Sequence, residues 1–498
     1  MVRKILDAVS GLGLFVGSLS AATFYVDDDA AGAGDGLSWG SAFSSLQSAL
    51  DASASGDTIL VAEGTYVPEV DESGEASPVD QRTKTFFINK NITLKGGYRV
   101  QDGVMISRNV DMHRSNLSGD IGASPNITDN CYHVVTFEEV YNSCVLDGFY
   151  IREGYATGSD FTQKRGAALY LRATGGDRTS PVVSNCRITS NVATEGAVYL
   201  DVFDNDDDTK FHNCHFSGNF GSVTSAIHSQ IRGVTRQDLE LDNCVITKCT
   251  GAGAAMRFVA VAEFFAEVTV NLNNCSIAGS SLPTVPLIQP ESMTGGEVYL
   301  NARNSVFYNP DVPAEEILAA TPNAGIWVNL HQCLLAEANC DVIKQTGTNV
   351  TCTGAMLYNV DPQFADLAKG VLYPTTGSPL VDAGDPASST ARDYLGKSRP
   401  ILNAPDLGAY EFPGLQQPVL RSSVDGEGRM VLNWDCLTGE TYTIRRTRDF
   451  VTFEDFVTGY PSGGTKDWTM TYVAHSVNIP SVPRLFYQVI QMSSSQGE

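Results

Sequence analysis

Apolar and polar positions recur through the middle of the chain in one fixed frame. In "FHNCHFSGN" (211–219), Cys214 follows the amide Asn213, with Phe211 three residues before it and Phe216 two after. Cys186, Cys244, Cys275, Ser305 and Cys333 occupy the same position, at successive gaps of 28, 30, 31, 30 and 28 residues. Directly before each stands an amide: Asn185, Asn213, Asn243, Asn274, Asn304, Gln332. Apolar residues fill the third position before (Val183, Phe211, Leu241, Leu272, Ala302, Leu330) and the second after (Ile188, Phe216, Ile246, Ile277, Phe307, Leu335).

A fixed period of this length predicts a repeat architecture. The frame residue and the one two beyond it share a face, as on a strand. The amide lies between apolar positions three apart, so the chain must bend there. The second half of each period carries small residues and an alternating strand, as in "RGAALYLRA" and "EGAVYLDVF". No helical period runs through it. Parallel strands ordinarily need long crossovers. A coil of about 30 residues supplies one when coils stack, which predicts an all-β parallel β-helix with inward residues buried against their neighbours.

"CRITSN", "CHFSGN" and the Gly-Ala strands after them resemble right-handed parallel β-helix repeats of the pectin-lyase-like superfamily. They are closest to the Phe-x-x-Asn and Gly-Gly-Ala-Ile repeats of polymorphic outer-membrane-type proteins. "NITLKGGY" (91–98) and "CVLDGFYI" (144–151) fit earlier coils. The opening stretch 24–66 resembles the N-terminal module of such proteins. Ser44–Ala52 would be its capping helix, with Phe43, Leu46, Ala49 and Leu50 inward, and "DTILVAEGTY" its first strand and turn. The segment 377–412 resembles the last-coil segment that follows many of these β-helices. The resemblance implies fold far more than activity, because β-helices host both enzymes and adhesins.

The texture changes after Pro413-Gly414. "RMVLNWDCLTGETYTIRRTRDFVTFEDF" and "RLFYQVIQ" are alternating strands with Gly-rich turns. They resemble a small immunoglobulin- or fibronectin-like β-sandwich, with Trp434, Tyr442, Ile444, Phe453 and Tyr487 as candidate core. At the other end, "MVRKILDAVSGLGLFVGSLSAA" has a basic start, an apolar run interrupted by Asp7, and a small-residue close, the pattern of a secretory signal peptide. The expected organisation is a signal peptide at 1–22, a β-helix at 23–412 and a β-sandwich at 413–498. No later segment is long and apolar enough to span a bilayer, so the expected location is extracellular or periplasmic, secreted or on the outer surface.

Of the 498 residues, Lys plus Arg number 33 and Asp plus Glu 57, a formal charge of −24. Such a chain is a poor partner for nucleic acid or anionic membranes. Export permits disulfides. The eleven cysteines recur singly at one frame position, however, which speaks against a disulfide framework.

Candidate chemistry divides into four groups. Cys186, Cys214, Cys244, Cys275 and Cys333 read as an inward structural column, since a reactive thiol needs an electropositive, partly exposed setting. Asn185, Asn213, Asn243, Asn274 and Asn304 read as a ladder, each bonding the next and the bend backbone. His212 and His215 flank Cys214 but lack converging partners for zinc, and read as bystanders. In "DVFDNDDDTK", Asp201, Asp204, Asp206, Asp207 and Asp208 form a candidate calcium loop, with a solvated turn as the alternative; no other cofactor is indicated. "YVDDDAAGAGDG" reads as a solvent-facing turn. Asp382, Asp385, Asp393, Arg399, Asp406 and Glu411 read as an ion-pair cluster fixing the final coil, against a glycosidase carboxylate pair.

Lyases of this fold need a cation or Arg/Lys to neutralise a uronate carboxylate, and a base. Lys164, Arg165, Arg172 and Arg178 lie in a locally basic, loop-rich stretch and are the catalytic candidates, although no pectate lyase or polygalacturonase motif set is present. The expected function is binding to polysaccharide, extracellular matrix or another cell, in the manner of an adhesin. The alternatives are a polysaccharide lyase or glycoside hydrolase, and a purely structural surface protein.

Overall fold

The computed structural model describes residues 21–30, 34–173, 178–280, 285–310, 317–318, 325–340, 348–401 and 403–412, and six strands between 420 and 492. The N-terminal stretch read as a signal peptide lies outside them, apart from its last two residues.

The chain forms a parallel β-solenoid. In the coil around Cys214, strand Lys210–His212 runs into Asn213, the cysteine turns inward, and strand His215–Ser217 leaves in a new direction. Phe211 pairs in register with Val183 below and Leu241 above. Phe216 pairs with Ile188 and Ile246. Every frame amide sits in the left-handed region: Asn185 at φ +51°, Asn213 +53°, Asn243 +50°, Asn274 +51°, Asn304 +47° and Gln332 +53°. Asn adopts that conformation more readily than other residues with a side chain, which accounts for its recurrence at the bend.

The strands leaving the bends build a ten-stranded parallel ladder from Gly64–Tyr66 to Leu357–Tyr358. The remaining solenoid strands form a second, larger sheet, in which Phe220–Asp242 and Ala254–Asn273 run long. Inward residues of both sheets make one core, with Phe137, Phe149, Phe211, Phe216, Phe258 and Phe307 fully buried.

The frame cysteines are buried in a column. Four of the five thiols donate to a carbonyl one coil back, Cys186 to Leu146, Cys214 to Val183, Cys244 to Phe211 and Cys275 to Leu241, at 3.2–3.5 Å, while Cys333 donates to His331 O of its own coil at 3.4 Å. Ser305 donates to Leu272 O in the same way, at 3.2 Å. The position therefore selects a small side chain with one donor. Burial pushes the thiols of Cys186 and Cys244 well above the ordinary range, and that of Cys333 to about 12. Among the described residues a disulfide, Cys340–Cys352, joins two cysteines outside the frame.

The N-terminal helix spans Leu46–Ala52, shorter than expected because Ser45 takes the cap and accepts from the amides of Gln47 and Ser48. It buries Leu46, Ala49 and Leu50, with Phe43 half-buried beside them. The first strand is Thr23–Val26, which pairs with Thr58–Ala62, so the "DTILVAEGTY" strand is the second rather than the first.

The segment 377–412 does not close a last coil. It lies outside the solenoid, across the outer face of the ten-stranded ladder. Leu372, Tyr394, Ala409 and Tyr410 pack there on Val245 and Ala278, and Leu380 and Leu407 pack on Val306 and Leu334. A chain segment without alternation carries no register signal, so it follows the groove that several coils offer together.

Beyond 413, strands Leu420–Val424, Met430–Asp435 and Thr469–Val473 form one antiparallel sheet. Thr441–Thr447, Glu454–Pro461 and Phe486–Met492 form another. Trp434, Tyr442, Ile444 and Tyr487 lie on these strands, and Phe453 lies outside the described residues.

Candidate functional site

Three outward faces of the solenoid differ in what covers them. The ten-stranded ladder, from strand Arg187–Thr189 onward, is covered by described residues of the chain's own segment 360–412. The frame amides hold that segment, and this breaks the expected ladder. Asn213 donates to Asn185 (3.3 Å) and Asn185 to Asp147 (2.7 Å), but the pattern stops there. Asn243 instead donates to Arg392 O, and Asn304 donates to Asp385 O while accepting from its amide. Asn274 accepts from the Thr390 amide, and Gln332 donates to Ala383 O. A bend amide bonds the next coil only where no other backbone is in reach. A further amide column, unforeseen from the frame, lies inside the next bend. Asn191 donates to Asn219 Oδ1 at 3.1 Å, and Asn219 donates to Ile188 O. Its signal was the Asn five residues after Cys186 and after Cys214.

Arg399, buried in the covering segment, pairs with Glu411 at 3.2 Å and donates to the carbonyls of Asp406 and Gly408. Asp393 and Asp406 accept backbone amides nearby. Burial pushes Asp406 up to about 7 and raises Asp393 and Glu411. Asp382 accepts from Asn403 and Ala404. This constellation holds the covering segment and not a final coil. His215 is not a bystander, because it is half-buried, accepts from Arg187 (2.9 Å) and meets the Tyr394 ring of the covering segment edge-on. Burial, with Arg187 alongside, pushes it down to about 3. His212 lies on the other sheet against Asp242.

The second face carries the basic candidates. His133, Tyr170, Tyr199 and His228 stack rung on rung, with centroids 4.8–6.2 Å apart. Beside them Arg165 donates to Glu195 (2.9 Å) and Gln230 (3.2 Å) and lies 3.6 Å from Asp201. Asp201 also receives Tyr170 Oη (3.1 Å) and Arg232 (2.5 Å). The Phe161 ring closes over Arg165, whose side chain is 4% exposed. Burial pushes His133 down to about 4 and His228 well below the ordinary range. Arg172 is bound by Glu138 and Glu72, and Arg178 by Asp208 and Asp206. Lys164 is half-buried and makes no ion pair among the described residues. The structure therefore brings Arg165 into a closed, paired network and keeps Arg172 and Arg178 in separate pairs. A cation spent on a protein carboxylate is a poor partner for a uronate.

The candidate calcium loop does not converge either. Asp201 belongs to the Arg165 network, Asp204 caps the Val234 amide, and Asp206 and Asp208 face Arg178. Asp207 is fully buried among Thr209 and Gln237. Alternation along an extended segment sends successive carboxylates to different sides. Among the described residues, the carboxylates that do gather are Asp27, Asp28 and Asp29, within 4.8 Å of one another. Burial raises Asp27 and Asp28, and Asp28 accepts the Thr65 amide.

No other described segment covers the third face. It is the outer side of strands Ala254–Asn273, Glu297–Arg303, Ile326–His331 and Thr348–Thr353, paired in register. Asn301 donates to Asn271 (3.1 Å), and Asn329 donates to Asn301 (2.9 Å). In the neighbouring row Tyr299 and Trp327 stack at 4.5 Å with planes 8° apart, both half-exposed. In the row on the other side Arg303, His331 and Thr353 follow one another, lining a cleft of about 300 Å³ with Asn301, Asn329 and Ser388. This face was missed, although its amides recur four residues before Cys275, Ser305 and Cys333.

No protein-family model and no curated protein matches the chain. Among solved structures, the pectate lyase Pel9A is similar over 79% of this chain and 97% of its own, at 14% identity and a TM-score of 0.33. An overlap that low carries no residue role or activity across to this chain.

Proposed function

We propose that the chain is an exported β-solenoid that binds neutral polysaccharide along the open face between residues 267 and 353. The amide column carries this reading. Asn301 spends one N–H on Asn271 and one oxygen lone pair on Asn329. One N–H and one lone pair remain free. Repeated every rung, about 4.8 Å apart, that donor-plus-acceptor pair matches the hydroxyls of an extended glycan, each of which donates and accepts. The Tyr299–Trp327 ridge supplies an apolar flank for sugar C–H groups. The formal charge of −24 favours a neutral over a polyanionic ligand. The disulfide Cys340–Cys352 suits an oxidising compartment, in keeping with the signal-like N-terminus. Adhesion to a glycan-bearing matrix or cell, with the strands beyond 413 as a separate β-sandwich, is the biological setting we infer.

The test is affinity electrophoresis of the full chain in gels containing neutral or acidic polysaccharides, with and without Ca²⁺, together with assay for new unsaturated ends. Retardation by a neutral polysaccharide is expected, weakened about tenfold by Trp327→Ala, which is about 1.4 kcal/mol. Unsaturated product from an acidic polysaccharide, or retardation unchanged in Trp327→Ala, would overturn the reading.

A further inference from the structure

At one edge of the open face, three side chains from separated parts of the chain form a hydrogen-bonded line. Thr353 Oγ1 lies 2.9 Å from His331 Nδ1, and His331 Nε2 lies 2.9 Å from Asp385 Oδ2. Asp385 is fixed in turn by the Ala387 amide (3.0 Å) and Ser388 Oγ (2.9 Å). These contacts, the Ala387 amide foremost, hold its carboxyl below the ordinary range, so it is ionised. A carboxylate only accepts, so Nε2 carries the imidazole proton and Nδ1 accepts from the Thr353 hydroxyl. Thr353 is exposed, the carboxylate is half-buried, and the line opens into the 300 Å³ cleft that Arg303 also lines. The next residue is Gly354, at φ +73°, where a Cβ would come within 3.1 Å of His331 Cε1. A larger residue would crowd the imidazole.

The geometry points to Thr353, His331 and Asp385 as a nucleophile, base and orienting carboxylate that hydrolyse O-acyl esters, acetyl groups above all, on the bound polysaccharide. This rests on the glycan-binding reading for its natural substrate. Hydroxyl–base and base–carboxylate bonds of this kind define the nucleophile–base–orienter arrangement wherever it occurs. Thr353 Oγ1 attacks the ester carbonyl carbon while its proton passes to His331 Nδ1, giving an imidazolium held by Asp385. Arg303 stabilises the oxyanion across the cleft. The tetrahedral adduct expels the sugar oxygen, which takes the proton back from His331, and leaves acyl-Thr353. Water, deprotonated by the same nitrogen, then attacks the acyl carbon. Carboxylic acid leaves and Thr353 regains its proton. No oxidant or other co-reactant is needed.

The experiment measures acetate released from O-acetylated xylan, and p-nitrophenol released from p-nitrophenyl acetate, by the full chain. Wild type is expected to hydrolyse both esters. Thr353→Val, which keeps the side-chain shape, should lose about 10³-fold or more, and Thr353→Ser should restore activity. His331 and Asp385 also tether the covering segment, so the threonine pair carries the test, with near-ultraviolet circular dichroism checking the fold of each variant. The small ester needs no glycan site. Its hydrolysis without retention on any polysaccharide would sink the binding reading and keep the catalytic line. Retention without hydrolysis of either ester, or full activity in Thr353→Val, would overturn the catalytic line and leave binding standing.

Discussion

Asp207→Asn should make the protein more stable at high pH. The Asp207 carboxyl is 1% exposed and makes no ion pair among the described residues. Oδ1 accepts from the Thr209 amide (3.0 Å) and Gln237 Nε2 (3.2 Å), and Oδ2 from Thr209 Oγ1 (2.9 Å). Burial outweighs these bonds and pushes the group from 3.8 to about 7. A carboxyl raised in the fold favours the protonated native state. Its contribution is fully present below about pH 4 and is lost as pH rises through 7. The displacement corresponds to about 4 kcal/mol at full ionisation, an upper bound once water penetration is allowed. Asparagine fits the site: its oxygen can take the place of Oδ1, and its amide can donate to Thr209 Oγ1, which can turn its own proton toward Thr179 O. Urea unfolding of both proteins, every 0.5 pH unit from 5 to 8.5, isolates the term as a difference and cancels the general effect of the acidic surface. The difference should grow in favour of the variant by about 2–3 kcal/mol across that range, the rest of the effect being already present at pH 5. Parallel pH profiles for the two proteins would refute the reasoning.

Other substitutions test separate parts of the structure. At Asn213, φ +53° makes Asn213→Ala less stable than Asn213→Gly by about 1–2 kcal/mol, read as the difference in urea midpoint, although both lose the bond to Asn185. Arg399→Met strands Glu411, Asp393 and Asp406 without their buried cation. It should cost about 3–5 kcal/mol and make 377–412 the first site of limited proteolysis, with Glu411→Gln on the same chain recovering part of the loss. Arg165→Gln should lower stability by about 3 kcal/mol in the same unfolding assay while leaving polysaccharide retention unchanged.

The solenoid was legible because one coil repeats the last. The frame residue must be small and donate one hydrogen bond, and the amide must accept a left-handed bend, so Cys or Ser and Asn or Gln recur with the period. Alternation separates inward from outward residues, but it does not say which outward face another segment covers. The Arg165 network was therefore visible only as a basic stretch, and its pairing with Glu195 and Asp201 needed the coils to be stacked. The covering segment was misplaced because its ties are to Asn243, Asn274 and Asn304, more than 80 residues away. The row Asn271, Asn301, Asn329 did carry a periodic signal. It was obscured because earlier coils place Lys210 and Glu240 at the same frame position.

The most direct measurement is hydroxyl-radical footprinting of the full chain with and without the polysaccharide that retains it best. The account predicts protection of Tyr299 and Trp327 on the open face, with Phe161 above the Arg165 network oxidised to the same extent in both samples. Protection of Phe161 with no change at Tyr299 and Trp327 would place the glycan on the other face and contradict the account.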